Sequence, residues 1–247
     1  MRLNIFFPLL LSCFVSIAMA TTFDGVVVDY YSLSRYSEEQ VKPFEEVWRL
    51  SIVGGNSVFA QIEDGQELMG GDLFNYAVYK SSIIGELTYK GAVSDYLFYY
   101  NEPLPKMEWS MLDRDSVVCG YSCQEATVVF RGKKWKVWYT LDIPYCDGPW
   151  KLNGLPGLIL KATDVEANYS FIAYCIKKRK MSVLTFSCKD AKKTTFEKFQ
   201  HDYIWSYRDS YGFLQAVTGK TFHVIIDDKE WKPVPKNPCL LEYFDEK

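Results

Sequence analysis

The pattern of apolar and polar positions is that of short β-strands separated by turns. The stretch 23–33 is rich in β-branched and aromatic residues and predicts an opening strand. The stretches 45–53 and 57–63 flank a turn that begins with Gly54 and Gly55, which predicts a hairpin. Further strands are predicted, in chain order, at 85–92, 95–102, 106–112, 116–130, 133–144, 157–163, 168–178 and 221–227.

One stretch near the C-terminus has a helical period instead. Thr194 and Glu197 have the spacing of a capping box, and Gly219 is a suitable stop. These positions predict one long amphipathic helix. Its apolar face consists of Phe196, Phe199, Tyr203, Tyr207, Tyr211 and Leu214.

Together these elements predict a mainly β (α+β) fold, a curved antiparallel sheet or half-barrel packed against one long amphipathic helix. No internal repeat or linker divides the chain. We therefore expect residues 21–247 to form a single β-rich domain that ends in an extended, proline-containing tail.

The first 20 residues have the features of an export signal. Arg2 provides a positive end, an apolar run follows, and Ala18-Met19-Ala20 provides small residues for cleavage after Ala20. An alternative is lipidation of Cys13, although the apolar run continues beyond that residue. No later run is long enough for a membrane helix, so we expect no transmembrane segment in the mature chain. The predicted location is the periplasm, with association to the outer membrane or secretion as further possibilities.

Charge and composition narrow the class of partner. The chain has 28 Lys and Arg residues against 31 Asp and Glu residues, for a net charge of −3. Because this mild acidity is spread along the chain, it argues against nucleic acid as a partner. No cofactor is implied by any motif in the sequence.

Six cysteines follow the signal, namely Cys119, Cys123, Cys146, Cys175, Cys188 and Cys239. An even number in an exported chain suggests disulfides, with about 15 possible pairings. On one straight strand Cys119 and Cys123 would lie about 13 Å apart, too far for a disulfide unless Gly120 bends the chain. A zinc site would need a second close pair of Cys or His ligands beside Cys119 and Cys123. The sequence has no such pair, so no metal site is predicted.

A distinctive motif is GLPGLIL, Gly154 to Leu160. With WRLSIVGGNSVFAQ, PLPKMEW, GYSCQEAT, RGKKWKVWYTLDIP and DGPWKLN, in that order, it resembles the GLPGLI family of exported proteins of Gram-negative bacteria. Cys119 and Cys146 depart from that family's pattern. The resemblance implies an exported protein whose biochemical role is undefined, and it brings no catalytic residues.

The motif also has a structural interpretation. Gly154 and Gly157 bracket Leu155-Pro156, so positive φ on either side of the proline would turn the chain into a strand starting with Leu158 and Ile159. Leu155 would then pack inward. This predicts a corner between strands. The alternative is a binding loop whose backbone N–H groups form an anion nest.

Residues typical of catalysis are scarce. The two histidines are His201, expected on the solvent-facing side of the helix, and His223, expected in a strand. Asp142, Asp147, Asp164 and Glu166 could form an acidic rim or simply occupy turns. The basic run 177–180 could meet lipid head groups or form a hairpin end.

Aromatic side chains close to the GLPGLIL motif in the sequence suggest a ligand-binding site. In the strand predicted at 133–144, Trp135 and Tyr139 lie on one face and Trp138 on the other. With Trp150 and Leu155, these residues could line a cleft for an apolar ligand.

The sequence thus favours an exported, non-enzymatic envelope protein that binds an apolar ligand, lipid, acyl chain or peptide on a concave sheet. The alternatives are a structural or assembly partner of an outer-membrane protein, a hydrolase using the aspartates, and a thiol oxidoreductase using Cys119 and Cys123.

Overall fold

The computed structural model describes residues 21–63, 66–68, 76–221, 223–226, 229–231, 234–238 and 240–241. The strands are β1 Phe23–Ser34, β2 Phe44–Val53, β3 Asn56–Glu63, β4 Gln66–Leu68, β5 Tyr76–Ser81, β6 Glu86–Val93, β7 Tyr96–Pro103, β8 Ser110–Val118, β9 Tyr121–Phe130, β10 Lys133–Thr140, β11 Leu158–Asp164, β12 Tyr169–Met181, β13 Lys192–Lys193, β14 Val224–Ile226 and β15 Lys229–Trp231. The helices are α1 Phe196–Arg208 and α2 Ser210–Thr218. The predicted mainly β fold is confirmed.

Most strands join one open sheet. Its order is β13-β7-β6-β5-β3-β2-β1-β12-β11-β10-β9-β8, with β4 paired to β3, while β14 and β15 form a separate hairpin. All pairs are antiparallel except β13 with β7. The centre of the sheet, where β1 lies between β2 and β12, joins strands from distant parts of the chain.

The sheet curves strongly toward one face. Phe59 in β3 and Phe171 in β12 are separated by two intervening strands, which in a flat sheet would set them about 14 Å apart. Their ring centroids are only 5.6 Å apart. The main hydrophobic core therefore lies on this concave face, to which β1, β2, β3, β9, β10, β11 and β12 all contribute.

Short turns with positive φ set the hairpins. Gly54 and Gly55 connect β2 to β3 as predicted, with φ of 58° and 79°. Cys119 and Gly120, with φ of 50° and 82°, connect β8 to β9. The single strand predicted at 116–130 is therefore wrong, because positive φ at two successive residues is the geometry of a tight hairpin turn.

The single long amphipathic helix is also wrong. Asp209 interrupts it with φ −145° and ψ 78°, donates its backbone N–H to the carbonyl oxygen of Trp205, and accepts from the backbone N–H of Gly212 with its carboxylate. This side chain caps a new helix, so two short helices form. Thr195, one residue after the predicted cap, caps α1, and the predicted stop at Gly219 is confirmed by its left-handed conformation.

The helices cover only one end of the sheet. Phe199 of α1 packs on Tyr89 in β6 and Tyr100 in β7, and Phe213 of α2 packs on Trp205. Neither helix enters the main core. Among the described residues, no helix has the length and apolar character needed to cross a membrane. The predicted signal, residues 1–20, lies outside the described residues.

The described part of the C-terminal tail has no helix and lies against the rest of the fold. The backbone N–H of Glu38 donates to the carbonyl oxygen of Asn237 at 3.0 Å, and that of Lys236 donates to Tyr207 at 3.1 Å. Leu240 is buried.

Candidate functional site

The concave face is filled by the chain itself. We call residues 141–157, between β10 and β11, the plug segment. Trp150, Leu152 and Leu155 of this segment have no exposed surface and belong to the main core. The GLPGLI motif is therefore more than a corner between strands, because most of the loop before it packs inside the sheet.

Close backbone approach shapes the motif. Gly154 has φ 91°, as predicted, and this conformation favours glycine. Gly157 differs from the prediction: its φ is not positive, and a Cβ there would lie 2.0 Å from the carbonyl oxygen of Thr140. Leu155 is buried as predicted, and Leu158 and Ile159 begin β11.

A buried lysine anchors one end of the plug segment to β5. The ammonium of Lys80 forms an ion pair with Asp147 and donates to the carbonyl oxygens of Gly148 at 2.7 Å and Leu152 at 3.4 Å. Burial lowers the pKa of Lys80, and the charge of Asp147 acts in the opposite direction. Lys80 is therefore tied into a structural contact.

A second buried lysine, from the plug segment itself, reaches β7. The ammonium of Lys151 lies 2.8 Å from a carboxylate oxygen of Glu102 and 3.0 Å from the hydroxyl of Tyr100. Arg131 of the β9–β10 turn also pairs with Glu102. Four rings surround the ammonium at 5.1–5.8 Å from their centroids, in a cation–π arrangement. They belong to Tyr89, Tyr100, Trp150 and Phe196.

The residues predicted to bind a ligand are mostly inside this core. Trp135, Trp150 and Leu155 are fully buried, and Tyr139 is 1 % exposed. The rings of Trp135 and Trp150 lie 5.5 Å apart, whereas Trp138 is only partly buried. The structure thus brings Trp135, Trp150 and Leu155 into one packed core rather than an open cleft. A ligand role for these residues stays a prediction that requires the plug segment to move.

Two indole groups in this core are unusual. Within the described part of the chain, the Nε1–H groups of Trp135 and Trp150 have no hydrogen-bond partner although both are buried.

The acidic rim, one of the two alternatives for these carboxylates, is not seen among Asp147, Asp164 and Glu166. Asp147 pairs with Lys80, whereas Asp164 and Glu166 pair with Lys133 at 3.2 and 2.8 Å. Hydrogen bonding from Lys133 lowers the pKa of Glu166. The described residues contain no group of three or more His, Cys, Asp or Glu that could hold a metal ion.

The histidines lie at the surface. His201 is exposed on α1, with its Nδ1 3.2 Å from Asp202. His223 is exposed and precedes β14, so its predicted place within the strand is wrong.

The five described cysteines are free thiols, so the expected disulfides are not seen among them; Cys239 lies outside the described residues. The hairpin turn places Cys119 at its tip and Cys123 in β9, opposite Ser116. Burial raises the pKa of Cys123 to about 11. This thiol is therefore protonated at neutral pH, unlike the thiolate of a redox enzyme.

One open feature beside the plug segment is a groove at the rim of the concave face. It encloses about 510 Å³ between the start of β1, the end of β12 and the first residues of the plug segment. Its lining residues, which define the rim groove, are Asp24, Gly25, Val26, Ile143, Pro144, Tyr145, Lys178, Arg179 and Lys180.

The basic run predicted as a hairpin end lies inside β12, so that prediction is wrong. Lys178 is opposite Val26 and Lys180 is opposite Asp24, and opposite residues of antiparallel strands share a face. Val26 belongs to the main core, so both lysines lie on the concave side. Lys180 forms an ion pair with Asp24 at 2.8 Å. Sequence reasoning missed this site because the side chains beside the run come from β1, about 150 residues earlier.

β12, whose residues 178–180 help to line the rim groove, has an unpaired edge on the side away from β1. β1 pairs with β12 as far as Met181, whereas β11 pairs with β12 only between Ser170 and Ile172. In the described part of the chain, no strand pairs with the other side of β12 from Tyr174 to Met181. We call this stretch the free edge of β12.

Comparisons with known proteins support the fold and leave the activity open. The model of a family described as "Protein of unknown function (Porph_ging)" matches residues 124–161, which run from β9 through the plug segment into β11. The resemblance to the GLPGLI family is not confirmed under that name. Among curated proteins, none matches the chain.

Two solved structures of PNGF-II, in the C2 and P21 space groups, are similar to this chain. Their TM-scores are 0.55 and 0.56, at 15% and 14% identity over 74% of the chain. The chain spans about a third of the length of PNGF-II. At this identity the likeness shows a shared fold alone.

Proposed function

We propose that this protein is an exported, non-catalytic module of the cell envelope that binds an extended acidic peptide along the free edge of β12. The observation that carries the proposal is the rim groove, where an unpaired strand edge lies beside two basic side chains of the concave face.

The chemistry of the groove selects such a ligand. A peptide in extended conformation adds to an open sheet edge through main-chain hydrogen bonds, and pockets for alternate side chains provide specificity. Lys178 attracts carboxylates, as does Lys180 when its exposed ion pair with Asp24 opens, and Ile143 and Tyr145 provide an apolar wall. A peptide in which acidic and apolar residues alternate can contact both the basic side chains and the apolar wall.

Because the core is closed, the rim groove is a better binding site than the concave face. An apolar ligand at Trp135, Tyr139 and Trp150 would have to displace the plug segment and break the contacts of Lys80 and Lys151. Binding at the rim leaves these contacts intact. The peptide would belong to a partner in the envelope, such as an outer-membrane protein.

The non-catalytic part of the proposal is supported by how the candidate groups are engaged. Asp147 and Asp164 are held by Lys80 and Lys133, and the Cys123 thiol has a raised pKa. The two ion pairs stabilise the fold, and together with the burial of Cys123 they leave all three groups poorly placed to react.

Peptide binding is tested by fluorescence anisotropy with labelled octapeptides. We expect saturable binding of alternating Glu-Val and no binding of alternating Lys-Val. A Glu-Val peptide with proline at alternate positions should bind at least tenfold more weakly, because proline cannot donate a main-chain hydrogen bond.

Two double variants with the same change of charge test where the peptide binds. Lys178→Glu with Lys180→Glu should weaken binding of the Glu-Val peptide at least tenfold. Lys134→Glu with Lys136→Glu makes the same charge change at exposed positions of β10 and should leave binding unchanged. Equal losses in both variants would contradict a site at the rim groove.

Export is tested separately in a Gram-negative host that expresses the full chain. We expect the protein in the periplasmic or outer-membrane fraction, with a mature N-terminus at Thr21 by intact mass. A cytosolic protein that retains residues 1–20 would overturn this part of the proposal.

A further inference from the structure

One end of the sheet is marked by a row of paired residues that crosses six strands, from β12 through β1, β2, β3 and β5 to β6. The row consists, in that order, of Arg179, Gly25, Val53, Asn56, Ser81 and Glu86. The end of β12, the start of β1, the β2–β3 turn and the β5–β6 turn all lie beyond this row. We call these residues, 180–181, 23–24, 54–55 and 82–85, the turn end of the sheet.

The β5–β6 turn presents two isoleucines to solvent. Ile83 and Ile84 are each 68 % exposed. Turns favour Gly, Pro, Asn, Asp and Ser, so the backbone does not require two β-branched apolar residues here. The turn is held in place, because the backbone N–H of Ser82 donates to the carbonyl oxygen of Gly55 at 2.9 Å. Phe23, 43 % exposed at the start of β1, adds a third apolar side chain to the turn end.

The last turns of β12 bring positive charge to the same end. Lys177, Lys178, Arg179 and Lys180 are all exposed. Lys180 pairs with Asp24, whereas no ion pair within the described part of the chain involves the other three. In the sheet order β12 and β5 are four strand spacings apart, about 19 Å. The basic and apolar side chains therefore lie within one small area of surface.

We propose that the turn end docks on a bilayer that contains anionic phospholipid. Ile83, Ile84 and Phe23 enter the interface, and Lys177 and Arg179 contact the phosphate head groups. Surface binding of this kind gains from buried apolar area and from the attraction between basic residues and anionic lipid. An exposed apolar patch alone would suit a protein partner equally well, but unpaired positive charge beside it favours a negatively charged bilayer.

This docking goes beyond the peptide site of the proposed function and uses other side chains. Lys178 and Lys180 lie on the concave side, whereas Lys177 and Arg179 alternate with them and so point to the opposite face of β12. The β5–β6 turn is separated from the free edge of β12 by β1, β2 and β3.

The test is sedimentation of the protein, as purified from the Gram-negative host, with lipid vesicles. One set contains phosphatidylethanolamine and phosphatidylglycerol, and the other contains phosphatidylcholine alone. We expect at least tenfold stronger binding to the phosphatidylglycerol vesicles at low salt. High salt should remove most of this preference, because it screens the attraction between exposed charges. Equal binding to both sets, or binding to neither, would overturn the proposal.

Substitution of the two isoleucines tests which surface docks. Ile83→Ser with Ile84→Ser should weaken binding to the phosphatidylglycerol vesicles at least fivefold. The control, Val129→Ser with Val165→Ser, removes two exposed aliphatic side chains beside Lys134 and should leave binding unchanged. All four positions are exposed, so an unchanged urea midpoint shows that each variant folds. Equal binding by the isoleucine variant and the control would overturn the proposal.

Substitution of the basic residues tests the electrostatic part. Lys177→Ser with Arg179→Ser should weaken vesicle binding at least fivefold at low salt and change it little at high salt. The isoleucine variant should still bind the Glu-Val octapeptide, so vesicle binding and peptide binding fail separately. Vesicle binding that survives both double variants would show that the turn end is not the docking surface.

Discussion

Gly157 shows why the motif needs glycine at a position without positive φ. Its Cα passes so close to the end of β10 that a Cβ would lie 2.0 Å from the carbonyl oxygen of Thr140. Backbone atoms cannot give way as a flexible side chain can. The sequence identified this glycine as special, but positive φ was the wrong reason, because the approach of β10 depends on the folded sheet.

We therefore predict that Gly157→Ala destabilises the protein by at least about 3 kcal/mol, because β10 and β11 must separate. The control is Gly85→Ala, where a Cβ meets nothing within 4 Å but φ is 67°. It should cost about 1 kcal/mol from backbone strain alone. Urea unfolding measures both, and similar losses would argue against the close approach.

Glu46 provides a test of buried charge by pH. This carboxylate is 8 % exposed and accepts from the Tyr36 hydroxyl at 2.9 Å and from the Trp48 Nε1–H at 3.4 Å. Burial nevertheless raises its pKa, although these hydrogen bonds act in the opposite direction. The folded protein therefore binds a proton more tightly at Glu46 than the unfolded chain does.

We predict that Glu46→Gln is more stable than the unmutated protein at pH 7, because the neutral amide avoids the cost of the buried charge. This advantage should shrink as pH falls through the raised pKa and vanish below the ordinary glutamate value of about 4.3. Urea unfolding across this pH range measures it. If the extra stability of Glu46→Gln instead grew toward acid pH, the pKa of Glu46 could not be raised in the folded protein.

Among the elements, the plug segment departs most from expectation. Its glycines and prolines predicted a turn, and the strands on either side were placed well by local alternation. Apart from that of Leu155, its burial could not be predicted, because the contacts of Lys151 with Glu102 and of Lys80 with Gly148 join residues far apart in the chain. The two helices were merged for a different, local reason: in the sequence Asp209 looks like an ordinary polar position of a helix, and only the structure shows that it caps a new helix through Gly212.

Substitutions at Lys151 and Glu102 measure how much this ion pair stabilises the plug segment in the core. Glu102→Leu leaves the fully buried ammonium of Lys151 without a carboxylate, and we predict a loss of about 3–5 kcal/mol. Adding Lys151→Met removes the stranded charge, so the double variant should be more stable than Glu102→Leu alone. A double-mutant cycle by urea unfolding measures this coupling.

The control is Lys151→Met by itself. Here Glu102 keeps its ion pair with Arg131, so the loss should be smaller than for Glu102→Leu. Additive effects of the two substitutions would show that the pair does not hold the plug segment in the core.

At the scale of the whole molecule, the curved sheet and its rim arise from pairings that no local pattern specifies. The sequence predicted a mainly β fold and a concave sheet, but the order that places β1 between β2 and β12 depends on contacts across most of the chain. The free edge of β12 arises because β11 pairs with β12 only from Lys161 to Thr163, while Leu158 and Ile159 at the start of β11 pair with β10 alone. The likeness to about a third of PNGF-II shows that this architecture also occurs within a longer protein.

The measurement that tests the account most directly is hydrogen exchange by mass spectrometry with and without the Glu-Val octapeptide. If the peptide adds to the free edge of β12, the amides between Tyr174 and Met181 gain protection while those of Trp150 to Gly157 stay as slow as before. Faster exchange at Trp150 to Gly157, with new protection at Trp135 to Tyr139, would contradict the account, because it would mean that the plug segment leaves and the ligand enters the concave face.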